Sequence, residues 1–353
     1  MLIFMMRMGL AIIRLPVLKL IRSGPDAWIA VLVGTAVGNL IFWLVLRQAA
    51  QQPGLTLVQR LERALGPVAG RAVGTCYILL FLWDTMVTSR MYSGLLISQP
   101  MPETPTEAFV FLLLLGAAYM ARKGPEVIAR VGQFVTPIIA GGIAVVLFLG
   151  ANQMNPRALQ PVLGHGWGQV LVASFFPADV HVELMATLML APLVRSPKAM
   201  VRAGVVGMHV AGLAAAGTAA CLIMFFGAPR SQRLVFPLYD IVRATTFGDF
   251  FERIDALFIF TWTATTFVKA ALLLWACAYG LGQMVRVKDC RTLIRPLALL
   301  AGLLSLRAYA NQAEVRALIA PQVYTFVALP FLVLFPALLA IVEAVRRPGE
   351  KAV

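Results

Sequence analysis

Charge is what this sequence has least of. Of 353 residues only 13% are Asp, Glu, Lys or Arg, while 60% are apolar and the mean hydropathy is +0.84. Soluble domains carry about 25% charged residues, so a water-soluble globular chain is excluded. Acidic residues are scarcer than basic ones, 16 against 30. Cysteine occurs four times and never as CxxC. Cys76, Cys221 and Cys277 stand in apolar runs and Cys290 in a polar one, which argues against a disulfide framework or a zinc ribbon and leaves small buried residues. Histidine occurs three times. His181 and Glu183 form HVE rather than HExxH, His165 and His209 have no ligand spacing to them, and neither a GxSxG serine motif nor a Walker loop occurs. No enzyme, cofactor or metal site is expected on these motifs.

What is present is a succession of apolar runs approaching the roughly 18 to 20 residues that cross about 30 Å of hydrocarbon. Ten spans are expected, near residues 2–20, 28–46, 72–97, 107–121, 132–151, 167–194, 203–227, 254–281, 293–307 and 321–344. Stretches such as FVFLLLLGAAYM do not alternate as barrel strands would, so the expected fold class is an all-α integral membrane protein. No soluble domain fits between the spans, and residues 1–353 are read as one polytopic membrane domain. The opening MLIFMMRMGLAIIRLP has no charged region before its apolar stretch and no small-residue cleavage site, and is read as the first span rather than as a secretory signal.

The net charge of +14 follows this layout. With the N-terminus cytoplasmic, seventeen of the thirty basic residues fall in inner loops, adjoining span ends and the tail, as the positive-inside rule requires. No basic, aromatic-studded patch is left for nucleic acid, and the expected surroundings are lipid.

One stretch breaks the apolar pattern. SFFPADVHVELM, residues 174–185, places a proline and three ionisable groups inside the sixth span. Pro177 cannot donate an i to i−4 hydrogen bond and disfavours helix at Phe176, while Asp179 suits the N-cap of a second half-helix. A break is expected within Phe175 to Asp179, near the membrane midplane, with a half-helix of roughly 20 Å following over residues 180–194. Secondary transporters build binding sites from such discontinuous spans, usually in pairs. The mate is sought in span one, at Gly9, Leu10 and Ala11. Only eight residues precede Gly9, so either this half-helix is short or the true start lies upstream.

Four further stretches carry a resemblance: GPDAWIAVLVG after span one, ETPTEAFVFLLLLGAAYMARKGPEVIARVG across span four, FPLYDIVRATTFGDFFERIDALFIFTWTATTFVKAALLLW through span eight, and RPLALLAGLLS at span nine. In order, and over almost the whole chain, they resemble the permease-like B subunit of bacterial spore nutrient germinant receptors, a branch of the amino acid, polyamine and organocation transporter superfamily. The resemblance implies two inverted five-helix repeats, approximately residues 1–151 and 152–345, with helices 1 and 6 broken. It implies a nutrient pocket at those breaks with spans three and eight around it, and a complex with an A subunit and a lipoprotein C subunit in the spore inner membrane. It implies sensing of an amino acid or similar germinant, with an active proton- or ion-coupled amino-acid permease as the alternative.

The residues at the breaks suit a small zwitterion. Free backbone N–H groups after Gly9 would face a carboxylate, and carbonyls ending the first half of span six would accept from an ammonium. Gly9, Ala11, Ser174 and Ala178 leave room for a compact ligand, and Phe175 and Phe176 either shape the pocket or pack. Asp179 either supplies charge or caps a helix. Glu183 either supplies charge or pairs within the bundle. Asp84 and Lys269 sit at matching depth in spans three and eight, where an unpaired ion costs at least about 2.5 kcal/mol. They are expected to pair, the competing partners of Lys269 being Glu183 and Asp179, while Arg90 points to another face. Phe236 to Asp255 is read as an amphipathic interfacial segment that caps the outer vestibule, contacts a partner subunit or simply anchors.

Overall fold

The computed structural model describes residues 1–11, 20–98, 100–164, 166–174, 182–245, 254–309, 314–315, 317 and 321–350. It is helical throughout, with no β-strand among the described residues. The helices are α1 (Leu2–Ala11), α2 (Ala27–Ala49), α3 (Leu57–Leu65), α4 (Pro67–Ser98), α5 (Thr106–Lys123), α6 (Pro125–Leu149), α7 (Gly166–Ser174), α8 (Pro197–Phe226), α9 (Pro237–Ala244), α10 (Ile254–Val285), α11 (Ile294–Ala308), α12 (Pro321–Leu329) and α13 (Phe335–Glu350). Five of them open on proline, whose missing N–H is one that no first-turn residue could pair anyway. Between α3 and α4, and again between α5 and α6, a glycine with positive φ (Gly66, +87°; Gly124, +98°) ends one helix directly before the proline that starts the next. Six described helical stretches are long and apolar enough to cross a membrane: Leu20–Ala49, Pro67–Ser98, Pro125–Val145, Pro197–Phe226, Asp255–Val285 and Phe326–Val345.

Two helices form the centre. On α4 every residue from Asp84 to Leu96 is buried, and on α10 every residue from Val268 to Ala278. A helix buried on all faces is an interior one, and α10 accordingly packs against α1, α4, α5 and α6. The other close pair is α2 with α8. A side chain at Gly212 would collide with Thr35, so the bare backbone there lets the two helices approach.

Two segments of the bundle depart from α geometry. Residues Val182–Leu193 form a 3₁₀ helix, where an α half-helix is expected from the sequence. Runs beyond three or four residues are uncommon in this geometry and mark hinges or strain. Nine of the twelve side chains are buried, so the tight winding is enclosed by packing over most of its length. Between α12 and α13 lies a π turn, Pro330–Leu334. Within it the Phe335 N–H bonds to the Pro330 carbonyl. The Phe331 carbonyl would then look to residue 336 for a donor, and Pro336 has none. The Tyr77 hydroxyl fills that place, donating to the Phe331 carbonyl at 2.7 Å.

Helix α3 lies across the end of the bundle. Thr56 caps it through a reciprocal box: the Gln59 N–H donates to Thr56 Oγ1 at 3.3 Å, and the Thr56 N–H to Gln59 Oε1 at 3.0 Å. Its Arg60 is buried and bonds both oxygens of Glu343 on α13, at 3.0 and 3.3 Å. At the same end a cavity of about 270 Å³ is lined by Leu193, Trp275, Tyr279, Lys288 and Arg291 among others.

Candidate functional site: two carboxylates on one amine

Three ionisable side chains meet in the interior. Asp84 comes from the middle of α4, Lys269 from the middle of α10, and Glu183 is the second residue of the 3₁₀ segment. Lys269 Nζ lies 3.1 Å from Glu183 Oε1, to which it donates a hydrogen bond, and 3.4 Å from Asp84 Oδ1. The side chains of Lys269, Asp84 and Glu183 are 1%, 5% and 0% exposed. Tyr324 on α12 stands beside Glu183 and Val182 and completes the wall. Thr88, one turn along α4, stands beside the Asp84 carboxylate without reaching hydrogen-bond geometry.

The chemistry comes from the count. Among the described residues, two carboxylates against one ammonium leave a formal excess of one negative charge, in a place where an uncompensated ion is held only at high cost. Such a cluster attracts a cation, whether a proton, a metal ion or an ammonium. It also joins three elements through charge, since α4, α10 and the 3₁₀ segment each contribute one member.

The other residues singled out from the sequence are dispersed. Gly9, Leu10 and Ala11 are in helical backbone at the end of α1, which continues through Ala11, so the break expected at these three residues is not there. Ser174 closes α7 and is buried, its hydroxyl 2.7 Å from the Val170 carbonyl and 3.1 Å from that of Ala30, which ties α7 to α2. Phe175, Phe176, Pro177, Ala178, Asp179 and His181 lie outside the described residues, and with them the expected break in span six. Arg90 is buried and faces Glu107 and Glu314, away from the cluster. In the outer segment, α9 buries Leu238, Ile241 and Val242 against α8 and α10.

Sequence reasoning missed Arg7. Its side chain is wholly buried on α1, donating to Thr35 Oγ1 on α2 at 2.6 Å and to the Met208 carbonyl on α8 at 2.8 Å. The signal was present: a lone arginine in MLIFMMRMG is an intramembrane ion and a functional candidate on that ground alone. Tyr324 had no comparable signal.

The family described as spore germination protein is matched over residues 1–313. Spore germination protein KB of Bacillus subtilis is 28% identical over 330 residues, covering 92% of this chain and 88% of the relative. Spore germination protein YndE of the same organism is 24% identical over 342 residues, covering 93% and 90%. With most of its length matched, and with helices long and apolar enough to cross a membrane repeatedly, the chain belongs to the spore germination protein family, as a multi-pass membrane protein of a spore-forming bacterium.

Proposed function

We propose that this chain is the membrane-embedded sensing subunit of a spore nutrient germinant receptor, and that it binds a small nutrient such as an amino acid and thereby triggers germination. The observation that carries the reading is the buried cluster of Asp84, Lys269 and Glu183, with its excess negative charge, in a chain of the spore germination family. The ligand's ammonium is drawn to that charge. Its carboxylate goes toward Gly9, Leu10 and Ala11 at the end of α1, with Ser174, Phe175, Phe176 and Asp179 as the further candidate ligand-binding residues. The frame for this pocket is ten helices in two inverted repeats, about residues 1–151 and 152–345. An A subunit and a lipoprotein C subunit in the spore inner membrane receive the signal.

The deciding experiment pairs two measurements. Spores lacking this gene are tested for germination by single amino acids, and the purified protein in liposomes is tested for uptake of the same labelled amino acids. Loss of the response to one nutrient, with no uptake above empty liposomes, is the expected result. Uptake by the liposomes together with unchanged germination would replace the sensor with a permease.

A further inference from the structure

The cations at the α3 end of the bundle fall into two groups. Several are engaged: Arg60 with Glu343 at 3.0 Å, Arg71 with Glu62 at 2.9 Å, Arg130 with Glu126 at 2.6 Å, and Lys123 over the Tyr119 ring at 5.5 Å. Lys288 and Arg291, in the connection between α10 and α11, are not. Among the described residues their side chains have no ion pair and no hydrogen bond, and both stand in the wall of the cavity of about 270 Å³. Asp289 between them lines it too, but it serves the backbone: its Oδ1 accepts from the Arg291 N–H at 3.0 Å. The opposite wall is apolar. It carries Trp275 and Tyr279, whose rings stack at 5.0 Å and 15°, with Leu193, 60% exposed, beside them. Tyr279 lies about 15 Å along α10 from Lys269 in its middle, which is half of the roughly 30 Å hydrocarbon layer. The cavity therefore straddles the membrane boundary, where Trp and Tyr gather, with its rings on the lipid side and its cations on the water side.

We infer that this cavity binds the headgroup of an anionic phospholipid, its phosphate between Lys288 and Arg291 and its glycerol end against Trp275 and Tyr279. The two cations account for the phosphate, Arg291 as a planar fork and Lys288 as a point charge. They would serve a free phosphate as well. The rest of the wall selects the lipid: a free phosphate makes no use of stacked rings and an open leucine, whereas a phospholipid brings apolar carbon to them. A zwitterionic headgroup fits less well, because it carries its own cation to two others. Basic pockets between membrane helices at the cytoplasmic face take such headgroups, and the excess of basic residues in this connection assigns it to that face. That excess explains why the connection is basic, but not why two unpaired cations share a cavity with an aromatic pair. The inference concerns neither the germinant nor its pocket and stands apart from the sensing proposal.

Tryptophan fluorescence of the full-length protein in phosphatidylcholine vesicles tests this, with a small share of phosphatidylglycerol brominated on the acyl carbons nearest the glycerol. Saturable quenching is expected, weaker when the same bromine is on phosphatidylcholine, and lost in Trp275→Phe. Unlabelled phosphatidylglycerol should reverse it in the wild type, and inorganic phosphate should not. Lys288→Gln with Arg291→Gln should raise the lipid share for half-quenching about thirtyfold, and either alone about fivefold, as an attraction of roughly 1 kcal/mol per cation gives. Lys288→Arg should behave as wild type. Lys123→Gln with Arg130→Gln removes the same charge from the same end, outside the cavity wall, and should leave the quenching unchanged. Equal quenching by both lipids would reduce the cavity to an apolar crevice and overturn the inference. An equal loss in the Lys123 and Arg130 double variant would do so by assigning the effect to the charge of the whole end. Reversal by inorganic phosphate would give the site to a free anion, and quenching that survives Trp275→Phe would place the lipid elsewhere; either result overturns it as well.

Discussion

The molecule holds two buried ionic sites that differ in one respect. At the end of the bundle Arg60 and Glu343 are 2% and 7% exposed and, among the described residues, balanced, one cation to one anion, with both carboxylate oxygens engaged. In the centre Lys269 serves two carboxylates, one of whose oxygens has no donor among the described residues. The first arrangement is matched in charge. The second lacks a positive charge that a proton or a ligand can bring. Buried charge is therefore not of one kind here: the matched pair joins α3 to α13, while the mismatched cluster is where binding energy can be released.

That difference can be attacked from both sides. The largest effect is expected at the matched pair, where Glu343→Gln removes the carboxylate that faces the buried Arg60 and should cost about 3 to 5 kcal/mol of stability. It is measured as the fraction of protein staying monodisperse in detergent after stepwise heating. The cluster should show comparable loss only when both acids go. Asp84→Asn with Glu183→Gln leaves Lys269 without an anion, again about 3 to 5 kcal/mol by the same assay. A smaller loss, about 1 to 3 kcal/mol, is expected for Tyr77→Phe, which leaves the Phe331 carbonyl without a donor in the frame that carries Glu343. The smallest belongs to each cluster acid alone. Asp84→Asn leaves the Lys269 to Glu183 pair intact, and in Glu183→Gln an ionised Asp84 takes over the amine, so each should stay within about 1 kcal/mol of wild type. A single cluster substitution as damaging as Glu343→Gln would erase the distinction between the two sites.

Much of this architecture is legible in the residues alone. The apolar runs at 28–46, 72–97, 107–121, 132–151, 203–227, 254–281 and 293–307 all fall on helices, because hydropathy over 15 or more residues is a summed signal that no single contact overrides. Counting residues along their spans puts Asp84 and Lys269 at one depth, and they lie 3.4 Å apart. What cannot be read depends on neighbours. The 3₁₀ winding of Val182–Leu193 contains ELMATLML, good helix formers by propensity, and only the surrounding packing distinguishes it from an α-helix. Tyr324 reaches Glu183 because of where α12 docks. The π turn left a fainter trace, in two prolines six residues apart in PFLVLFP.

The 3₁₀ segment also fixes a length. Twelve residues wound at about 2.0 Å each extend roughly 6 Å further than the same residues would at the α-helical 1.5 Å. One end bears Glu183, held by Lys269, and the other ends at Leu193 in the wall of the cavity beside Trp275 and Lys288. The segment is held at its Glu183 end, while Leu193 at the other is largely exposed. Any event that rewinds it to α pitch converts a change at one carboxylate into a pull of about one helical turn at the far end of the bundle.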